Sequence, residues 1–99
     1  MIINKLEFLA RADLDQETLD VWIKEEWLVP RRTATELTFS EVDLARAKLI
    51  QDLRRDIGVN DEGVGVILNL VDQVHGLRRA LADLVQSMRE RSTPPGAGT

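Results

Sequence analysis

Apolar residues along the chain gather in four clusters separated by polar breaks, and the spacing inside each cluster predicts a helix. Leu6, Phe8 and Leu9 mark a short first helix over Asn4 to Ala10. The polar run Arg11-Ala12-Asp13-Leu14-Asp15 predicts a turn, and Asp15 is placed to cap a second helix, because its carboxylate can accept from the free N–H groups of a first turn. Gln16 and Glu17 behind it suit the positive end of that helix. Leu19, Trp22 and Ile23 then fall at i, i+3 and i+4, Glu26 and Trp27 complete the segment, and Pro30 ends it. Two short helices joined by a tight turn make a helix-turn-helix candidate.

Between Leu28 and Phe39, β-branched and apolar positions flank a short polar centre, which predicts a small hairpin even though no Asn-Gly or Asp-Gly marks its turn. Ser40-Glu41-Val42-Asp43 is a near capping box, with Asp43 in the place of the longer Glu or Gln. The helix it opens carries Val42, Ala45, Leu49, Leu53 and Ile57 as its expected apolar stripe, and Gly58 is its natural terminating residue. Asn60 caps a last helix that meets no strong breaker before Pro94.

That last helix has the most regular pattern in the chain. Ile67, Leu70, Val74, Leu77, Leu81, Leu84 and Met88 alternate by three and four without a miss, which places them at the a and d positions of three heptads. From Asn60 to Arg91 the helix would run about 48 Å, longer than a domain built from the preceding residues could cover. Such a seam calls for a partner, and self-association into a homodimer is the expectation; the alternative is a helix bent back onto its own domain. Val71 and Val85 widen the stripe, while Gln73, Ala80, Ser87 and Arg78 beside it declare neither parallel nor antiparallel pairing. The expected organisation is a small domain over residues 1–59, a dimerisation helix over 60–91, and a disordered tail over 92–99.

Size strengthens the case for a partner, because 99 residues bury only about two-thirds of the surface the unfolded chain exposes. Chemistry is narrowed further by what the chain lacks. It has no cysteine and a single histidine, His75, so thiolate catalysis, disulfides and Cys-type zinc sites are excluded and no metal is expected. No nucleophile and base pair, phosphate-binding glycine loop or paired-carboxylate arrangement is present; Gly63-Val64-Gly65 lacks the third glycine and the preceding strand of a nucleotide fingerprint. No catalytic residue, cofactor or enzymatic activity is expected. No apolar run is long enough to cross a bilayer, and Met1 to Lys5 is too short for the apolar core of a secretory signal, so the expected location is cytoplasmic and no membrane partner is expected.

Charge is where the chain is most uneven. From Met1 to Trp27 three basic residues (Lys5, Arg11, Lys24) face seven acidic ones (Glu7, Asp13, Asp15, Glu17, Asp20, Glu25, Glu26), a deficit equal to the net charge of −4 carried by the whole chain. An acidic head is repelled by polyphosphate and attracted to a basic protein. In a DNA-reading helix-turn-helix the second helix needs Arg, Lys, Asn or Gln toward base edges. Here that helix offers Gln16, Glu17, Thr18, Asp20 and Lys24, so DNA is an unfavourable partner for this face.

The order of helix-turn-helix, hairpin wing, capped helix, Gly-Val-Asn break and long apolar helix resembles a MerR-type winged helix-turn-helix domain with its dimerisation helix. Glu25-Glu26-Trp27-Leu28-Val29-Pro30, Phe39-Ser40-Glu41-Val42-Asp43-Leu44 and Leu53-Arg54-Arg55-Asp56-Ile57-Gly58-Val59-Asn60 carry the resemblance. Within that group the chain is similar to the chaperone modulator CbpM family, through Gly58-Val59-Asn60, the following Gly63-Val64-Gly65-Val66-Ile67-Leu68-Asn69-Leu70, and a Leu-Arg-Arg-Ala-Leu segment. The resemblance implies a mainly α fold with a small β-hairpin wing and a long C-terminal dimerisation helix. It also implies a non-enzymatic regulator that binds the J-domain of a DnaJ-like co-chaperone of the CbpA type and inhibits its co-chaperone and DNA-binding activities. Where DNA-binding MerR proteins have an Arg and paired tyrosines, this chain has Asp20, Val21, Trp22 and Ile23. The competing expectation is a MerR-type DNA-binding transcription regulator, favoured by Arg31 and Arg32 on the wing.

Glu17, Asp20, Val21, Lys24 and Glu25 are the expected partner-binding residues, against the plainer expectation of a solvated acidic face. Trp22 belongs to the core by its place on the apolar stripe, whereas Trp27 fits either a core or a binding surface. His75 falls at heptad position b and is expected to be an exposed bystander.

Overall fold

The computed structural model describes residues 2–92. In chain order the elements are β1 (Ile3–Asn4), α1 (Lys5–Ala12), α2 (Gln16–Lys24), β2 (Arg31–Arg32), β3 (Leu37–Phe39), α3 (Glu41–Gln51), a six-residue π-helical continuation of α3 (Asp52–Ile57), and α4 (Asp61–Ser92). This is the mainly helical winged helix-turn-helix that the residue pattern predicts. Two compact units make up the chain, Met1–Gly65 and Val66–Thr99, so the start of α4 belongs to the first. The tail expected over 92–99 lies outside the described residues except for Ser92, where α4 ends.

Each of the four α-helices opens on a side chain that accepts from its own first turn. Asn4 Oδ1 accepts from Glu7 N–H at 2.8 Å, Asp15 Oδ1 from Thr18 N–H at 2.7 Å, and Asn60 Oδ1 from Gly63 N–H at 2.7 Å. At α3 the capping box is complete: Ser40 Oγ accepts from Asp43 N–H, and Asp43 Oδ2 accepts from Ser40 N–H at 2.9 Å. The Asp43 side chain is long enough for the role that Glu usually fills. Orphan N–H groups are satisfied locally at all four starts, each worth about 1 kcal/mol.

Helix ends in this region are closed by left-handed residues. At Asp13 (φ 55°) and Glu26 (φ 61°) the next residue's N–H reaches back five positions, Leu14 to the Leu9 carbonyl at 3.0 Å and Trp27 to the Trp22 carbonyl at 2.9 Å. Both are Schellman closures with a carboxylate residue where glycine is usual. The second corrects the expected helix boundary, because α2 stops at Lys24 and neither Glu26 nor Trp27 is helical; Pro30 comes after the closure and is not its cause. At the third end Gly58 takes φ 79° as expected, and Val59 N–H reaches the Leu53 carbonyl at 2.8 Å across the wide π turn.

The hairpin is present, and it carries a third strand that the residue pattern does not announce. β3 pairs antiparallel with β2 on one side (Arg31 opposite Thr38, Arg32 opposite Leu37) and with β1 on the other (Ile3 opposite Phe39), in the order β1-β3-β2. Its tip is held by Thr33, whose N–H donates to the Glu36 carbonyl at 2.9 Å and whose hydroxyl accepts from Glu36 N–H at 3.1 Å. That hydroxyl clamp stands in for the missing Asn-Gly.

The core of the first unit is built from Ile3, Phe8, Leu19, Trp22, Leu28, Phe39, Ala47, Ile50 and Val64, with Phe8 and Phe39 stacked at 4.0 Å between ring centroids. Each large side chain fully withdrawn from water contributes about 1.5–3 kcal/mol. The expected α3 stripe holds only in part: Leu53 is buried and Leu49 half-buried, but Val42, Ala45 and Ile57 are exposed, and Ala47 and Ile50 complete the buried line with Leu53. Apolar residues lie on several sides of α3, so spacing alone did not single out the inward one. Leu6, expected on the apolar side of α1, is likewise exposed.

In the second unit α4 continues as one helix to Ser92. Ile67 is half-buried, while Leu70, Val74, Leu77, Leu81, Leu84 and Met88 are between 44% and 69% exposed. No described residue covers that face. His75 is exposed, as its heptad position implies.

Candidate functional site

Glu17, Asp20, Val21 and Lys24 recur along α2 at i, i+3, i+4 and i+7, so the helix carries them on one stripe while Leu19 and Trp22 turn inward. All four are exposed, and so is Glu25 just past the helix end. The structure thus brings the five expected partner-binding residues together on one side of α2. Asp20 is steadied from the preceding turn, where Gln16 Nε2 donates to its Oδ1 at 2.7 Å. The helix start is also acidic by construction: the backbone N–H of Thr18, and then its hydroxyl, hold the Asp15 carboxyl below the usual carboxylate range. Asp15 therefore stays ionised beside Glu17 through ordinary pH.

The stripe borders a cleft that the residue pattern did not reveal. Its walls are Val21 from α2, Glu25 just past the end of α2, and Asp61 and Glu62 from the first turn of α4, and Trp22 and Trp27 line it between them. The cleft measures about 370 Å³. Trp22 is 2% exposed and Trp27 7%, so Trp27 joins the core while keeping an edge on the surface. Their rings lie 6.3 Å apart and tilted, the apolar contact that accompanies a Schellman closure between these two positions. Arg46 Nε donates to the Trp27 carbonyl and fixes the loop from beneath. Arg54 Nε meets Asp61 Oδ1 at 3.3 Å on the rim.

Arg46, Arg54, Asp61 and Glu62 are therefore the residues that reasoning from spacing missed. Asp61 and Glu62 carry a sequence signal, but one that reads as ordinary carboxylates at a helix start. The positions of Arg46 and Arg54 depend on chain-distant contacts and carry no local signal.

Elsewhere the surface is quieter. Arg31 and Arg32 are exposed on β2, an edge strand of the wing. Arg11 makes a two-pronged contact with Glu41, at 3.3 and 3.4 Å, that joins α1 to the start of α3. Gln51 Nε2 donates to the Ala12 carbonyl at 2.8 Å and closes the end of α1 onto α3. Among the described residues there is no group of His, Cys, Asp and Glu side chains placed to hold a metal ion. No helix among them is long and apolar enough to cross a membrane.

With this geometry in place, comparison with known families matches residues 3–86 to the family described as MerR HTH family regulatory protein. The match takes in the helix-turn-helix, the wing, α3 and most of α4. Comparison with curated proteins and with solved structures finds no match.

Proposed function

The chain belongs to the MerR helix-turn-helix regulatory family, and from that premise we propose that it is a non-enzymatic, protein-binding member whose α2 face docks onto the J-domain of a DnaJ-like co-chaperone of the CbpA type. Docking there inhibits the partner's co-chaperone and DNA-binding activities by occlusion. The observation that carries this reading is the exposed stripe of α2. It presents Glu17, Asp20 and Glu25 against Lys24 alone, where a DNA reader of the same fold needs cations and amides facing bases and phosphates. A J-domain contacts its chaperone through a basic helix beside a His-Pro-Asp loop, and an acidic helix is its complement.

The uncovered seam of α4 supports a homodimer, Ile67, Leu70, Val74, Leu77, Leu81, Leu84 and Met88 being shared between two copies. A symmetric dimer carries two α2 faces and accepts one J-domain on each. The proposed compartment is the cytoplasm, with which a chain free of cysteine is compatible.

Calorimetry with a purified J-domain at low salt tests the reading. We expect binding that weakens as salt is added, and that weakens further on Asp20→Lys or Glu17→Lys. Absence of heat at low salt overturns it. A second reading, a sequence-specific DNA-binding regulator, is favoured by the family's own description and by the exposed Arg31 and Arg32. A discrete footprint on a DNA fragment, lost with Arg31→Ala and Arg32→Ala, would establish that reading instead.

A further inference from the structure

We propose that the cleft between the end of α2 and the start of α4 is an anchor pocket for a single lysine or arginine side chain of a basic protein partner. The inference rests on the reading of α2 as a protein-docking face, and it names where on that face the contact concentrates.

The first support is charge. Glu25, Asp61 and Glu62 border the cleft, and the one cation on its rim, Arg54, is engaged by Asp61 at 3.3 Å. Glu25 and Glu62 have no ion-pair partner among the described residues. Two carboxylates facing one hollow, neither neutralised from within, favour a cation entering it.

The second support is the aromatic lining, which is independent of the carboxylates. The Trp27 side chain is more than nine-tenths buried, and its indole N–H has no acceptor among the described residues. No buried side-chain nitrogen or oxygen among them lacks a partner, so this N–H is not sealed in; it lies beside Gly65, three residues on from Glu62 in α4. A buried indole usually gives its N–H to an acceptor. A partner's backbone carbonyl supplies one. The basic side chain from the same partner segment then lays its aliphatic stem along the indole and its cationic head between Glu25 and Glu62.

The pocket is also held rigid before anything enters. Trp27 is fixed through both backbone polar groups, its N–H to the Trp22 carbonyl at 2.9 Å and its carbonyl to Arg46 Nε. The left-handed Glu26 sets the turn that stands the two indoles against each other. A preformed pocket avoids the ordering cost that a flexible acidic surface would meet on binding.

The test uses the full chain and the J-domain of a DnaJ-like co-chaperone with its own tryptophans replaced by phenylalanine. The chain has two tryptophans, Trp22 and Trp27, and both line the pocket, so its emission reports occupancy directly. The expected results are an emission shift on binding, about tenfold weaker binding by calorimetry for the Glu25→Gln, Glu62→Gln pair, and at most about threefold for a control pair, Glu7→Gln with Glu90→Gln. Trp27→Phe keeps an aromatic ring but loses the indole N–H and part of the stacking surface, and should also weaken binding several-fold. If the J-domain binds while emission stays fixed, or the two glutamine pairs weaken it equally, the anchor is wrong and docking on α2 stands. If the wild-type chain gives no heat at low salt, the docking reading fails and the anchor falls with it.

Discussion

The two units of this chain obtain their order in opposite ways. In Met1–Gly65 nearly every helix end is closed by a residue a few positions away, and the large apolar side chains Phe8, Leu19, Trp22 and Ile50 are withdrawn from water by their own chain. In Val66–Thr99 one helix carries its regular apolar seam in the open. The first is a domain in the ordinary sense, held by burial and local hydrogen bonds. The second has helical propensity and pattern but, beyond Leu68, an apolar face that no described residue covers, so in the proposed dimer its stability depends on a second copy.

The sharpest way to break that contrast is to remove the centre of the first unit. Trp22→Ala should cost about 3–5 kcal/mol, comparable to the whole stability of a small domain, and leave the first unit unfolded at room temperature. Urea unfolding followed by Trp27 emission reads this directly. A loss below about 1 kcal/mol would mean that the indole packs loosely and that the unit is not organised around it.

In the second unit the matching change is Leu81→Ala. In an isolated chain Leu81 is 60% exposed and its loss should hardly matter. In the proposed dimer it is buried against a second copy, and the loss should be about 2 kcal/mol per protomer. The difference between those outcomes appears as a melting temperature that rises with protein concentration in the wild type and is lower at each concentration in the variant. A melting temperature independent of concentration would remove the dimer, and with it the account of the seam.

How much of this was legible beforehand follows from how local each cause is. The caps Asp15, Ser40 and Asn60 were readable because a cap and the groups it satisfies lie within four residues. The α4 seam was readable because its period persists for three heptads. The register of α3 was not, because Leu44, Ala45, Ala47, Leu49 and Ile50 offer apolar groups on several sides and the choice among them was made by α1, with which α3 packs. β1 is two residues long, too short for any alternation, and exists because β3 offers it an edge. The five acidic-face residues could be named from α2 alone, but the cleft beside them joins Glu25 to Glu62 across more than thirty residues. No local pattern spans that distance.

A smaller effect tests whether local closure stabilises the first unit as described. Ser40→Ala removes the acceptor for Asp43 N–H and leaves the reciprocal half of the box without its shape, and should cost about 1 kcal/mol by urea unfolding. Asp15 gives the same test through pH. Its carboxyl is held below the ordinary value in the folded state, chiefly by the Thr18 N–H, so its contribution is present above the unfolded-chain value and is lost as pH falls through the lowered folded value. Stability followed from pH 6 downward should therefore fall less steeply in Asp15→Asn than in the wild type.

The finest test is a gain. Glu26 sits at φ 61°, a conformation that costs a residue with a Cβ about 1–2 kcal/mol and costs glycine nothing in sterics. Glycine gives back part of that advantage, because its unfolded chain is freer. The net for Glu26→Gly is a stabilisation of about 0.5 kcal/mol, visible as a small rise in the urea midpoint with unchanged slope. Because Glu26 lies outside the cleft lining, binding of a J-domain should change only by the loss of one surface charge. If the glycine variant is instead less stable, the Schellman closure is not what ends α2, and the pairing of Trp22 with Trp27 across it must be maintained by Arg46 and the core alone.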